Sequence, residues 1–360
     1  MPRINSPAEL EQFRKDIISK KDPNKPCIAV CTGTGCLALG AANVVAALKE
    51  EIKKQGLETK VDVRETGCPG FCERGPLIVI YPEEICYLQV QPDDAQEIVS
   101  QTIVAKKVMD RLLYVDPIAD EKIVHESEIP FYKNQTRHLI GNNIKLDPKS
   151  IDTYLAVGGY SALVKALFQE TPEQVVELVK NSKLRGRGGA GFPAGIKWEF
   201  ARKRPDKTKY VIVNADEGDP GAFMDRALLE GNPFSVLEGL TIGAYAIGAH
   251  EGYIYVRQEY PLAVENVTLA IKQAEEYGFL GKNILGSGLD FTVDVHRGAG
   301  AFVCGEETAL LMSLEGKAGE PRPRPPYPAV KGLYGKPTNI NNVETWANVP
   351  LIINNGAEYL

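Results

Sequence analysis

Leu184 to Trp198 reads LRGRGGAGFPAGIKW, and Val213 to Arg226 reads VNADEGDPGAFMDR. The first run places five glycines within residues 186–195, a density that a core selected for stability does not need. Glycine accepts positive φ and lets the backbone approach a bound molecule closely, so the run predicts a surface laid against a flat or phosphorylated ligand. Arg187 and Lys197, interleaved with the glycines, make that ligand anionic. The second run follows the apolar stretch Tyr210–Val213, which reads as a strand whose edge delivers Asn214, Asp216 and Glu217 into the same cleft. Gly186, Gly188 and Gly191 match the G-x-G-x-x-G spacing of a Rossmann fold, but that fingerprint must follow a strand and open a helix. Here Pro172–Lys183 has helical spacing (Val175, Val176, Leu178, Val179), and the loop runs on through Phe192-Pro193 before a helix at Ile196–Arg202. The match supports a phosphate-tolerant loop at a positive helix end rather than a Rossmann fold.

Further along, Pro233–Ala249 and Pro261–Gly278 read as helices, and Tyr253–Val256 and Phe291–Val295 as strands, which makes the C-terminal part a layered α/β domain. Toward the N-terminus, Cys31, Cys36, Cys68 and Cys72 form C-x4-C, 31 intervening residues, then C-x3-C, each pair in a glycine-containing loop. Around them Cys27–Val30 and Thr59–Arg64 read as strands, Ala41–Gln55 as an amphipathic helix, Leu77–Tyr81 and Ile85–Val90 as a hairpin, and Pro92 to about Thr102 as a helix. That order fits a small thioredoxin-like α/β layer. Four thiolates in two loops make a metal cage, for iron-sulfur or for zinc, although the usual C-x2-C zinc knuckle fits these wider gaps poorly. A disulfide-exchange role lacks its C-x-x-C pair. Cys27 and Cys86 sit in apolar strand patterns and take no role, Cys304 reads as a buried thiol, and His125, His138, His250 and His296 form no ligand pattern. Between the two parts, Asp110, Asp116-Pro117 and Asp120-Glu121 interrupt short apolar patches, although Val104, Val108 and Leu112 are helically spaced. The expected organisation is a thioredoxin-like domain over 1–105, a linker over 106–134 and a ligand-binding domain over 135–360.

At 360 residues the chain exceeds one typical domain. A net charge of −6, with no run of five like charges, argues against nucleic acid as a partner. No stretch approaches the ~18 to 20 apolar residues of a membrane span, and the N-terminus lacks a signal-peptide pattern, so the expectation is a cytoplasmic protein without membrane insertion. Seven cysteines without an export signal speak for metal binding or buried thiols over disulfides.

The two opening runs, with GAFVCGEETAL (300–310), PRPRPPYP (321–328) and TNINNVET (338–345), resemble in order the signatures of the flavin- and NADH-binding subunit of respiratory complex I, the 51 kDa type. Its relatives are the β subunits of NAD(P)-linked hydrogenases and formate dehydrogenases. The cysteine spacing, with its flanking CTGT and CERGP, resembles the 24 kDa type of complex I ferredoxin. The resemblance implies a 2Fe-2S cluster on Cys31, Cys36, Cys68 and Cys72 in a thioredoxin-like ferredoxin domain, followed by a layered α/β flavin and NADH-binding domain. It further implies that Gly186, Arg187, Gly188 and Lys197 lie along FMN, that Asn214, Asp216 and Glu217 contact it from the strand edge, and that Asn341 and Asn342 close on its phosphate end. Gly305, Glu306 and Glu307 would face flavin and nucleotide, with Glu217 and Glu307 orienting the cofactors for the reaction. Phe192, Phe200, Phe302 and Tyr327 take the family's aromatic positions for NADH, and Asp219 stands where relatives often carry glutamate. Read from the residues alone, Asn341-Asn342 and Glu306-Glu307 also suit helix starts, and Phe200 and Phe302 suit a core. The implied function is an oxidoreductase subunit that takes hydride from NADH onto FMN and passes single electrons to iron-sulfur clusters, partnered by the other iron-sulfur subunits of a hydrogenase or formate dehydrogenase. A complex I subunit and a noncatalytic electron carrier are the alternatives. Relatives continue into a 4Fe-4S part, whereas no cysteine follows Cys304, so the expectation is a chain lacking that part.

Overall fold

The computed structural model describes residues 3–359. The chain divides into two compact units, one of Ser19–Pro148 and the other of Lys149–Leu360 together with the stretch up to Ile18.

In the first unit the buried run CIAVC forms β1 (Cys27–Cys31). It pairs in parallel with β2 (Asp62–Thr66) on one side and antiparallel with β3 (Ile78–Tyr81) on the other, and β4 (Ile85–Tyr87) completes the order β2-β1-β3-β4. The β1–β2 crossover carries the helix Ala41–Lys54, whose buried Ala41, Val44, Val45, Leu48 and Ile52 form one apolar face. β2 starts later than the expected Thr59 because Lys60 and Val61 donate their N–H groups back to the Leu57 carbonyl in a turn. The helix after Pro92 runs to Val104, its last part widened to a π-helix.

Residues 106–134, expected as a linker, are instead folded into this unit. Met109, Leu112 and Leu113 are buried in its core, Leu88 and Cys86 donate N–H groups to Leu112 and Val124 at 2.9 Å, and β5 (Tyr114–Val115) pairs with β6 (Lys122–Ile123). The aspartates and prolines that suggested a tether mark its tight turns. No helix joins Val104, Val108 and Leu112, since the two valines are exposed and only the leucine is buried.

The second unit is built on four parallel strands, β7 (Tyr210–Ala215), β8 (Glu251–Val256), β9 (Thr292–Arg297) and β10 (Thr338–Asn342), in the order β10-β7-β8-β9. β10 was not foreseen, because its polar TNINN carries no apolar alternation. The helix Pro233–Ile247 is apolar on nearly every face and buried accordingly. Two glycines set its crossing with the helix Val343–Asn355: a Cβ at Gly239 would lie 2.0 Å from the Trp346 carbonyl, and one at Gly243 would lie 2.2 Å from the Trp346 ring. The N-terminal helix Pro7–Ser19 belongs to this unit up to Ile18 rather than to the thioredoxin-like one expected for 1–105. Arg14 donates to the carbonyls of Leu155 and Gly159 at 3.0 and 2.9 Å, Phe13 meets Tyr277 edge-on, and Ile4 and Leu10 are buried.

Candidate functional site

Parallel strands that end together leave a crevice at their carboxyl ends, where open α/β sheets place ligands. Here β7 runs out into Asp216–Phe223, and β10 turns directly into Val343–Asn355, capped by the Asn342 side chain accepting from Glu344 N–H at 2.8 Å. The glycine loop is pinned alongside. Gly186 N–H donates to the Phe192 carbonyl at 2.9 Å, and Arg187 N–H donates to Thr345 Oγ1 at 2.9 Å. Glycine is needed at 218, where a Cβ would come within 2.5 Å of the Phe302 ring, whereas one at Gly188 would make a 3.4 Å contact with Asn342 Cβ. The segments enclose a cavity of 580 Å³.

Arg187, Gly188, Asn214, Asp216, Glu217 and Asp219 border this cavity, as do Phe302, Gly305, Glu306 and Asn342. Much of their polarity is engaged in shaping it. Asn214 donates to the Gly305 carbonyl at 2.9 Å and accepts from Asp216 N–H at 3.0 Å. Glu217 accepts from the N–H groups of Asp225 and Arg226 at 3.1 and 3.2 Å and from the Tyr260 hydroxyl at 3.1 Å, holding the first turn of the helix Met224–Gly231. One oxygen of Glu306 caps the helix Glu307–Leu314 through Thr308 and Ala309 N–H. Its other oxygen, and Asp216 Oδ2, are buried without a hydrogen-bond partner. Burial pushes the Asp216 carboxyl up to about 6, against the pull of Arg257.

Two acids on the cavity escaped sequence reading. Asp225 accepts from the Asn342 amide at 2.5 Å. Burial first, then the neighbouring Glu217, raises it to about 8. Glu344, raised mainly by burial, lies 3.8 Å from Arg187 Nε. Asp225 sits within the run Val213–Arg226, but only the packing of the Met224–Gly231 helix against the helix Val343–Asn355 shows its burial.

The remaining predicted residues lie off the cavity wall. Lys197 bonds Glu307 at 2.8 Å and the Ile340 carbonyl at 2.7 Å, while Arg324 approaches the other Glu307 oxygen at 3.2 Å. Glu307 is therefore held between two cations. Asn341 is buried and, with its amide oxygen turned to Trp198, accepts from the indole N–H at 2.9 Å. Phe192, Phe200 and Tyr327 are exposed, and Phe302 is 70% exposed, which core residues would not be.

In the other unit, Cys31, Cys36 and Cys68 are buried and Cys72 nearly so. Cys68 and Cys72 sulfurs lie 3.2 Å apart, and Cys31 hydrogen-bonds both Cys36 and Cys68, which holds its thiol well above the usual range. The same bond draws Cys36 below it. A Cβ at Gly35 would meet Cys72 Sγ at 3.2 Å and one at Gly75 would meet Cys36 Sγ at 2.8 Å, so both loops give up side chains to bring four sulfurs together. Among the described residues no three His, Cys, Asp or Glu side chains are arranged around a single ion. The sulfurs instead make one contiguous group.

Fold and sites together define a protein of two α/β units, a thioredoxin-like layer carrying four thiols and a parallel layer with a polar cavity at its strand ends. Residues 12–102 match the family model of the thioredoxin-like 2Fe-2S ferredoxin, and residues 179–351 match that of the Nuo51 FMN-binding domain. Each stretch is similar to the family whose model it matches. It is 58% identical over 227 residues to the HndC subunit of the NADP-reducing hydrogenase of Solidesulfovibrio fructosivorans, covering 63% of this chain and 46% of that one. To the F 2 subunit of the NADH-quinone oxidoreductase of Rhizobium meliloti (strain 1021) it is 56% identical over 213 residues, 59% of this chain and 51% of that one. The chain thus spans about half the length of the curated relatives it matches. A crystal structure of an NAD+-reducing NiFe-hydrogenase in the H2-reduced state aligns with 98% of this chain and 56% of that one, at a TM-score of 0.53 and 28% identity.

Proposed function

We propose that this chain is the nucleotide-oxidising part of an electron-transfer subunit, with FMN in the cavity, a nicotinamide nucleotide on the exposed aromatics, and a 2Fe-2S cluster on Cys31, Cys36, Cys68 and Cys72. The observation that carries the reading is the cavity wall itself. Asp216 Oδ2 is a buried acceptor without a donor, and Glu306 Oε1 has no hydrogen bond, only the Arg324 guanidinium at 3.7 Å; buried polar atoms left so are expensive unless a ligand supplies the partner. FMN brings hydroxyl and ring N–H donors for such oxygens, and its phosphate suits Arg187 and the glycine backbone, so the residues fit the group. The four thiols gathered from two loops likewise fit the four-thiolate ligand set of a binuclear cluster.

Bound flavin would supply the conversion of a two-electron hydride into single electrons. The residues orient and shield. Glu217 fixes the Asp216–Phe223 loop by capping the next helix, Asn342 is clamped by Asp225, and Phe302 presents an exposed face beside the cavity mouth for a planar ring. Glu307, held by Lys197 and Arg324, sits near enough to the exposed Tyr327 segment to meet the nucleotide rather than the cavity. The alignment of nearly the whole chain with a hydrogenase structure and the 58% identity to a hydrogenase subunit support a hydrogenase-type assembly with other iron-sulfur subunits as partners; the 56% identity to a quinone-reductase F subunit supports the second reading, a complex I assembly.

A visible spectrum of the reconstituted chain tests the reading. Flavin bands that bleach on adding NADH are expected, and cluster absorption without flavin would leave only the electron-carrier function. Gly188→Val, which drives a branched side chain into the cavity beside Asn342, is expected to abolish flavin retention while the fold persists by circular dichroism. Full flavin content in that variant would remove the glycine loop from the site.

A further inference from the structure

Residues 129–146 fall between the stretch that matches the ferredoxin family, 12–102, and the one that matches the flavin family, 179–351. Within the Ser19–Pro148 unit this segment lies over the turn that joins Cys68 to Cys72. The Phe131 ring stacks on Phe71 with centroids 4.5 Å apart and planes 10° from parallel, and Tyr132 meets both rings edge-on. Gly70 is the left-handed residue of the turn, at φ +102°, and a Cβ there would lie 3.7 Å from both Phe131 and Ile140. Two polar anchors reinforce this apolar cover. Arg137 donates to the Pro69 carbonyl at 2.8 Å while its guanidinium lies 4.3 Å from the Tyr132 ring centre. Asn143, fully buried, donates to the Cys68 carbonyl at 3.0 Å, and its own carbonyl accepts from Gly67 N–H at 3.2 Å. Three consecutive residues of the cysteine turn thus hand their backbone bonds to this segment. The turn so fixed points Gly70 N–H at Cys68 Sγ, at 3.2 Å.

A cluster's reduction potential depends on hydrogen bonds to its sulfurs and on its exposure to water, and the surrounding apolar shell controls that exposure. We propose that residues 129–146 are a strap that positions the Cys68–Cys72 turn and shuts water away from that side of the iron-sulfur site, with Arg137 and Asn143 as positioning residues and Phe131 and Ile140 as the cover. This rests on the reading of the four cysteines as cluster ligands. A reduced cluster carries more negative charge than an oxidised one, and water stabilises the extra charge. Opening the strap therefore raises the potential.

The test uses the full chain, loaded anaerobically with iron and sulfide, in the forms wild type, Phe131→Ser, Ile140→Ser and Phe131→Leu. Midpoint potentials come from redox titration followed by electron paramagnetic resonance, and cluster lability from the rate of iron release to a chelator. The two serine variants, both at half-buried positions, are expected to shift the potential upward and to release iron at least severalfold faster, while Phe131→Leu, which keeps the cover apolar, stays close to wild type. Serine variants indistinguishable from wild type in both readouts overturn the strap and leave the cysteine assignment standing. A wild-type chain that takes up no iron and sulfide overturns both.

Discussion

Asp225 carries the largest electrostatic burden among the cavity's carboxylates. Burial first, then the facing Glu217 and Glu344, raises its carboxyl to about 8 against the pull of the Asn342 amide that it accepts from. The unfolded chain titrates this group near its ordinary ~3.9, so between those values the folded state binds the extra proton and stability falls as pH rises. Asp216, raised to about 6, adds to the slope at the lower end. The thermal midpoint is expected to drop from pH 5 to pH 8, and Asp225→Asn, which keeps an oxygen for Asn342 but cannot ionise, should flatten much of that fall. A slope unchanged in the variant would assign the pH dependence elsewhere. Glu307 poses a different problem, since its charge is already matched by Lys197 and Arg324. Glu307→Gln takes away the carboxylate that Lys197 bonds and leaves Arg324 with Glu306 alone, 3.7 Å away, so that a 2′-phosphate at the expected nucleotide position would meet two cations with less opposing charge. NADH should be preferred by the native chain, and the ratio of kcat/KM for NADPH over NADH should rise about tenfold in the variant, a change of ~1.4 kcal/mol. An unmoved ratio confines Glu307 to joining the glycine-loop helix to the proline-rich loop.

Among the elements, the crossing of Pro233–Ile247 with Val343–Asn355 bears on the cavity through Asn342 and Glu344, which line it at the start of the second helix. The second of these helices starts at Asn342, so any shift in it moves a cavity residue. Gly239→Ala puts a methyl 2.0 Å from the Trp346 carbonyl and forces the helices apart. Overpacking of this kind costs about 1–3 kcal/mol, which denaturant unfolding should register. Flavin affinity is expected to fall with it, because Asn342 and Thr345 both ride on the displaced helix. Loss of stability with native flavin affinity would show the cavity to be insulated from the crossing. At this scale the sequence was easy to read where burial is periodic: Ala41–Gln55, Pro233–Ala249 and Pro261–Gly278 emerged within one or two residues of their observed bounds. It was opaque where burial arises from a partner. TNINN pairs with β7 along its whole length, yet its buried asparagines look like a loop until that neighbour is in place.

For the molecule as a whole, the division into two compact units predicts that the two cofactor sites load independently. Cys36→Ser should lower bound iron and sulfide sharply while flavin per chain stays at the native level, and Gly188→Val should do the reverse. Loss of both cofactors from either variant would mean that the units fold as one.

The sequence alone determined the chemistry. Cysteines at fixed spacing, glycines that bar side chains from a contact surface, and carboxylates after a buried strand are local patterns, and their meaning depends on residue type more than on neighbours. Tertiary structure alone decided which groups those residues face. That the first helix packs on the flavin unit, that 106–134 is folded into the first unit rather than a tether, that Asp225 is buried against Asn342 and that Lys197 is paired with Glu307 all depend on contacts between residues far apart in the chain. Burial and charge pairing are properties of those contacts, and no local pattern encodes them.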